Sequence, residues 1–302
     1  MAFLCVDVGG TNTLVGLGNG EFKVVEKFST KEFLTEISNA LEEVIQEAGY
    51  QVSDIEDVAV AVAGPMEREK GLFYPPNIDM ERVQIKEPLQ HFGDVMIIND
   101  CTSAVLGEYH YGEHDVEDLV YVTISSGIGS GVILDGNLME GFNGNLGEVG
   151  HIQLSDEDIG DNGGNHWEAI CSGNHLPGFA KNLTGIEYEN ARELFDEYEN
   201  RDCDAQHVIE EMKEINAKGF GAIVNMFNPE KIVVGGAVAL NHPEKVVDPL
   251  EDSVEDKTVN KVPSIETCSL GDKSVIHGLR AVCNGKYNVK KYSSKEKLEA
   301  KH

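Results

Sequence analysis

The chain has 302 residues, with 24 Lys plus Arg against 53 Asp plus Glu for a formal net charge of −29. Its hydrophobic content of 41% is enough to bury one large core or two ordinary ones, which excludes a disordered chain. So strong an acidic excess repels nucleic-acid phosphates and anionic membrane surfaces, leaving small molecules or proteins as the expected partners.

No apolar stretch reaches the roughly 18 residues that a membrane span needs. The opening MAFLCVDVGG is too short and turns acidic too soon for a signal peptide, so a cytoplasmic location is expected. Cys5, Cys101, Cys171, Cys203, Cys268 and Cys283 lie far apart with no C-x-x-C, which reads as free, mostly buried thiols. The acidity also fits a salt-rich cytoplasm, a hypothesis that equal stability in low and high salt would remove.

In chain order, residues 2–8 form an apolar strand, GGTNT breaks it, and LVGLGNGEFKVVEKF resumes strand character around a Gly-Asn-Gly turn, giving a hairpin meander. From Lys31 to Gly49 the apolar residues Phe33, Leu34, Ile37, Leu41, Val44, Ile45 and Ala48 recur at helical spacing, and Gly49 supplies the stop. A strand at Val58–Val62 follows, then Gly64-Pro65, the loop around YPPN, and the strand VMII, which ends in Asn99-Asp100 before the helical CTSAVLGEYHYG.

The second half opens in the same way. LVYVTIS is a strand, a glycine-rich turn follows, and VILDGNLMEG is a hairpin around Asp-Gly-Asn. The likeness of residues 3–28 to 119–141 suggests a duplicated architecture of two α/β domains facing one cleft. Helical periodicity returns from Val208 to Phe227, before the buried-looking strand KIVVGG. The expected division is an N-terminal domain over 1–115, joined by a C-terminal helix over 286–302, and a larger domain over 116–285. The tail from Lys286 holds six Lys against two Glu, opposite in sign to the body. It reads as a solvated helix end, or as a segment that binds the acidic body of a second copy.

Asp7-Val8-Gly9-Gly10-Thr11-Asn12-Thr13 puts a carboxylate at a strand end and two glycines in the turn, so that backbone N–H groups and hydroxyls can cradle phosphate. Ser125-Ser126-Gly127-Ile128-Gly129-Ser130-Gly131 offers a second such nest. Each alone is also what a tight hairpin needs. Both turns run into strands, which excludes the dinucleotide fingerprint, and no Gly-x4-Gly-Lys-Ser/Thr is present. Asn99-Asp100 emerges at the C-terminal end of an apolar strand, where α/β proteins place ligands; an ordinary helix N-cap explains the same pair. Glu148, His151, His166 and Glu168 gather polar groups around Gly147, Gly150 and the single Trp167. A histidine there reads as a metal ligand, a partner for a hydroxylated ligand or, favoured where nothing else is known, a surface bystander.

Together, Asp7 to Asn12, Gly64-Pro65, Pro75-Pro76-Asn77, Asn99-Asp100 with Ala104-x-x-Gly107-Glu108, Gly127-Ile128-Gly129, Gly147-Glu148-x-Gly150-His151 and Val234-Gly235-Gly236 resemble the ROK family of sugar kinases in order and spacing, over about residues 3 to 285. The resemblance implies an actin-like, ribonuclease H-like fold: two α/β domains with mixed β-sheets flanked by helices, with ATP and a sugar meeting in a central cleft. By position it implies a first phosphate loop at Asp7, Gly9, Gly10, Thr11, Asn12 and Thr13, with Asp7 near Mg2+. It implies a second loop at Ser126, Gly127 and Gly129, and an adenosine motif at Gly235 and Gly236. Asn77, Asn99, Glu148, His151 and Glu168 match sugar contacts near Gly64, and Asp100 matches the catalytic base.

Many family members carry a cysteine-rich zinc segment after Gly-Glu-x-Gly-His. Its three cysteine positions hold Ile159, Asp161 and His166 here, so the thiolate site is absent and zinc is not expected. A substitute cage of His151, Asp161 and His166 is conceivable, since zinc takes nitrogen and oxygen ligands. A loop held without metal, with Trp167 as a packing anchor, is the favoured alternative. The implied activity is an ATP-dependent hexose kinase closest to glucokinases, working as a homodimer or homotetramer. The rivals are an N-acetylmannosamine, N-acetylglucosamine or fructose kinase and, in another class, a non-catalytic sugar-binding regulator. Family repressors carry a helix-turn-helix ahead of the first loop, for which the position of Asp7 leaves no room, and the charge also argues against DNA.

Overall fold

The computed structural model describes residues 2–19, 21–75 and 82–287, so Asn77 and nearly all of the expected 286–302 helix lie outside the described residues. The chain divides into two compact units. The first comprises residues 1–112, 140–146 and 273–302, and the second 113–139 and 147–272. Residues 273–285, assigned from the sequence to the second domain, therefore belong to the first.

In the first unit the strands are β1 (Ala2–Val8), β2 (Asn12–Asn19), β3 (Glu21–Ser29), β4 (Ile55–Val62), the short β5 (Met66–Glu67), β6 (Leu72–Phe73) and β7 (Val83–Gln84), and β8 (Asp94–Asn99). The five long strands form one mixed sheet in the order β3-β2-β1-β4-β8, and the short ones a separate antiparallel sheet. β1 pairs antiparallel with β2 and parallel with β4, which pairs parallel with β8. The central strands are almost continuously buried, as strands covered on both faces must be. β3, on the edge, is exposed along most of its length, and Lys23, Glu26 and Lys27 guard it against pairing with another chain.

The expected 31–49 helix is two helices, Thr30–Thr35 and Ile37–Glu47, broken at Glu36 with φ −136° and ψ 43°. The apolar period continues across the break, so spacing alone did not show it. Gly49, with φ +83°, ends the second helix as expected.

The second unit builds its sheet from β9 (Leu119–Ile124), β10 (Ile128–Leu134), β11 (Asn137–Leu138), β12 (Lys231–Gly235) and β13 (Ser264–Thr267). Its order, β11-β10-β9-β12-β13, repeats the first sheet, with antiparallel pairs on one side of β9 and parallel pairs on the other. The duplicated architecture is thus real at the level of topology. In the same unit the long Cys203–Phe227 helix packs against neighbouring helices and buries Val208, Met212, Ile215, Phe220 and Ile223.

In the first unit the Ser274–Cys283 helix crosses the Asp100–Tyr111 helix at backbone contact. A Cβ on Gly278 would lie 1.7 Å from the Ser103 carbonyl oxygen, and one on Gly107 would lie 2.0 Å from that of Ser274. Ser103 Oγ donates to the Val275 carbonyl at 2.7 Å, and Ser274 Oγ donates to the buried Glu108 at 2.7 Å. The crossing holds the helix that begins at Asp100. Gly278→Ala puts its methyl against backbone that no side-chain rotation can clear, and should cost about 1–3 kcal/mol, read as a lower urea midpoint.

Candidate active site

In the first unit three strand ends share one edge. Parallel register sets Asp7 beside Ala61 and Val62 beside Asn99, so Asp7, Gly64 and Asn99-Asp100 all stand at the C-terminal edge of the sheet. Asn99 ends β8 in extended conformation and caps the next helix, its Oδ1 accepting the Thr102 N–H at 3.1 Å. Asp100 is the first helical residue, and its Oδ1 accepts the Cys101 N–H at 2.8 Å. Burial, and secondly the negative charge of Asp100, push the Asp7 carboxyl up to about 8. Both carboxylates are hard oxygen donors, the type that divalent cations such as magnesium take.

The first glycine turn closes through the Gly9 N–H, which donates to the Asn12 carbonyl at 3.1 Å, and leaves Thr11 and Asn12 exposed. Thr13 departs from its expected place. It is fully buried, and its hydroxyl pairs with that of Thr30 at 3.1 Å while Thr30 Oγ1 donates to the Gly9 carbonyl at 2.8 Å. Thr13 therefore braces the turn from beneath instead of facing a phosphate, and Thr30 is the supporting residue that motif reading missed.

The second unit repeats the arrangement. The turn from Ser125 to Gly127 joins β9 to β10, with Ser126 exposed, Gly127 and Gly129 partly so, and the Ser125 N–H bonded to the Gly127 carbonyl at 2.9 Å. Register places Gly235 beside Thr123 at the same edge. Gly236 follows with φ +90°, and a Cβ there would lie 2.6 Å from the Ile124 carbonyl oxygen, so only glycine lets the two segments approach.

Gly147–His151 packs on this turn through the Gly147 carbonyl, which accepts from Ser130 N–H at 2.8 Å and Ser130 Oγ at 3.1 Å. Glu148 and His151 both keep exposed surface. Desolvation raises the Glu148 carboxyl above its usual range, His151 opposing the shift and Glu168 adding to it. Glu168, expected as a sugar contact, is bonded to the backbone of the second turn's exit, its Oε2 accepting the Ile128 N–H at 2.7 Å.

The His151 and His166 rings lie 5.0 Å apart, and His166 Nδ1 sits 3.0 Å from the Gly150 carbonyl and 3.3 Å from the Ala169 N–H. Asp161 instead accepts from Asn162 Nδ2 at 3.1 Å and packs against Gly178. Among the described residues no group of three His, Cys, Asp or Glu is placed to hold a metal, so the His151, Asp161 and His166 set does not assemble. The segment is anchored by Trp167, fully buried, with its Nε1 donating to Asn216 Oδ1 at 2.8 Å and its ring edge-on to Phe220 at 5.3 Å.

The ROK family model matches residues 3–285. The chain belongs to the ROK family. A glucokinase from Pyrobaculum calidifontis is 30% identical over 285 residues, 93% of this chain and 94% of that protein. The crystal structure of a ROK hexokinase from Thermus thermophilus superposes with TM-score 0.76 at 26% identity, covering 92% of this chain and 96% of the other. A ROK family glucokinase from Streptomyces griseus in complex with glucose and AMPPNP shares the fold with TM-score 0.71 at 24% identity, over 92% and 98% of the chains. The actin-like ATPase fold of ROK sugar kinases accounts for the repeated sheet order and for the pair of glycine turns at equivalent strand ends.

Proposed function

We propose that this ROK protein is an ATP-dependent hexose kinase whose acceptor is glucose. One observation carries the reading beside the glucokinase likeness: each unit sets a glycine turn at the same edge of an equivalent sheet, and in the first unit that edge also holds Asp7 and Asp100. Glycine turns at strand ends suit the phosphates of a nucleotide, and Asp100 suits a hydroxyl that must lose its proton.

Asp100 takes the proton of the sugar hydroxyl as that oxygen bonds to the γ-phosphorus. The bond from the γ-phosphorus to the β,γ-bridging oxygen breaks, and ADP departs with its electron pair. Within the second unit Glu148 and His151 would take sugar hydroxyls, and within the first Asn99 has the same capacity, since each buried hydroxyl left unmatched costs about 1–3 kcal/mol. The turns around Gly9 and Ser126 cradle the phosphates, and Gly235-Gly236 lies under the adenosine. Mg2+ would be held near Asp7, and it would supply neutralisation of charge on the transferring phosphates. We place the protein in the cytoplasm as a homodimer or homotetramer, which light scattering would read.

The test is ADP release from ATP and magnesium across glucose, N-acetylmannosamine, N-acetylglucosamine and fructose, in low and high potassium chloride. Turnover selective for glucose supports the reading. Sugar binding without turnover at any salt would replace it with the regulator.

Glu148 gives a pH dependence with a definite sign. Its carboxyl is raised, and the ionised form is the stronger acceptor for hydroxyl donors, so glucose affinity falls as pH drops and the carboxyl takes up its proton. Calorimetric glucose Kd should rise as pH is lowered from neutrality toward the ordinary carboxylate range, and Glu148→Gln should bind more weakly at neutral pH with a flatter profile.

A further inference from the structure

Glu168 lies between two segments that the kinase reading assigns to different ligands. On one side its Oε2 accepts the Ile128 N–H at 2.7 Å, at the point where the second glycine turn enters β10. A Cβ on Gly127 would lie 2.6 Å from the same oxygen. On the other side is the Glu148–His151 segment. A Cβ on Gly150 would lie 3.2 Å from Glu168 Cβ and 2.3 Å from the Ile128 carbonyl oxygen, so the segment packs against both the Glu168 side chain and the backbone at the end of the turn. The negative charge of Glu168 also reaches Glu148, where it helps raise that carboxyl.

The short Trp167–Cys171 helix that bears Glu168 brackets the turn at both ends. Just beyond it, the Gly173 N–H donates to the Ser125 carbonyl at 2.7 Å. Buried Trp167 fixes the helix to Asn216, so Glu168 stands on a firm base.

We propose that Glu168 is a positioning residue that couples sugar binding at Glu148–His151 to phosphate binding at the Ser126–Gly131 turn. The inference rests on the kinase reading and goes beyond it, because it gives one carboxylate a task that spans both substrates. A ligand that orders either segment has already set the shared carboxylate for the other. Each ligand then tightens the other, and by the same factor, since coupling between two binding equilibria is reciprocal.

The experiment is calorimetric titration of the intact protein with glucose, alone and with saturating magnesium and AMPPNP, and the reverse titration. In the wild type each ligand should tighten the other by roughly tenfold, within the usual span of such couplings. Glu168→Ala should bring the factor close to one, and Glu168→Gln, which keeps an oxygen for the Ile128 N–H, should retain part of it. Near-ultraviolet circular dichroism of the single tryptophan, beside the substitution, checks that the variants are folded. If Glu168→Ala does not fold, Glu168→Gln decides, and a factor equal to that of the wild type overturns the coupling. A variant that weakens glucose while the factor stays unchanged makes Glu168 a sugar contact only and also overturns it. A wild type that binds both ligands with no mutual effect keeps the kinase and removes the coupling, whereas one that binds neither removes the kinase reading and the coupling with it.

Discussion

Asp100→Asn should lower kcat by about 10²–10⁴-fold, the usual contribution of a positioned general base, with glucose Kd little changed. The amide is nearly isosteric with the carboxylate, and its oxygen can still accept the Cys101 N–H that holds Asp100 at 2.8 Å. The N-terminal turn of the helix therefore survives, and Asn99 still caps it through Thr102. What is lost is the ability to take a proton. Steady-state kinetics and glucose calorimetry on the same preparations separate the two effects, and near-normal turnover would remove Asp100 from its role.

The same variant carries an independent signature in stability. The Asp7 carboxyl is held at about 8, so the native protein keeps a proton there that the unfolded chain loses near its ordinary carboxylate value. A folded-state value above the unfolded one means that the native state binds more protons across this window, and stability falls as pH rises through it. Asp100 is the second cause of that shift, so Asp100→Asn should flatten the fall, most visibly in urea midpoints compared between about pH 5 and about pH 8. An unchanged slope would mean that the two carboxylates do not interact.

How far the site was legible depended on whether its residues announced themselves locally. Strand, glycine turn and strand could be read at both 2–19 and 119–134, because the apolar runs and the turns are contiguous, and the repeated sheet order follows from that likeness. Asn99-Asp100 was legible for the same reason, a polar pair ending an apolar strand. Thr13 was not, because β2 already begins at Asn12; alternation along a strand turns Asn12 outward and Thr13 inward, onto Thr30. The break at Glu36 was hidden because Phe33 and Leu34 before it and Ile37 and Leu41 after it continue one helical period while the backbone does not. Glu168 was found as a polar residue near the Glu148–His151 segment, but its bond to Ile128 spans 40 positions and leaves no mark in local spacing.

The largest stability effect lies in a pair that no pattern revealed. Arg68 Nη1 and Glu140 Oε1 are 2.7 Å apart with side-chain exposures of 9% and 0%, and Tyr287 Oη donates to Glu140 Oε2 at 2.6 Å. Charged residues in so acidic a chain read as solvated surface, yet this carboxylate is buried within the first unit, joining the 140–146 loop to the β5–β6 connection and to the end of the described chain. Gly144, with φ +82°, lies over the guanidinium, where a Cβ would sit 3.0 Å from Nη2. Glu140→Ala removes a fully buried carboxylate that accepts from both Arg68 and Tyr287, which should cost about 3–5 kcal/mol. Replacing both Arg68 and Glu140 by methionine removes the charges together and should cost far less, since an apolar pair of similar volume needs no desolvated ion. Urea unfolding of the two single variants and the double variant completes the cycle. If the double variant is as unstable as the sum of the singles, the pair is two independent contacts, and the account of this loop as held by one shared charge is wrong.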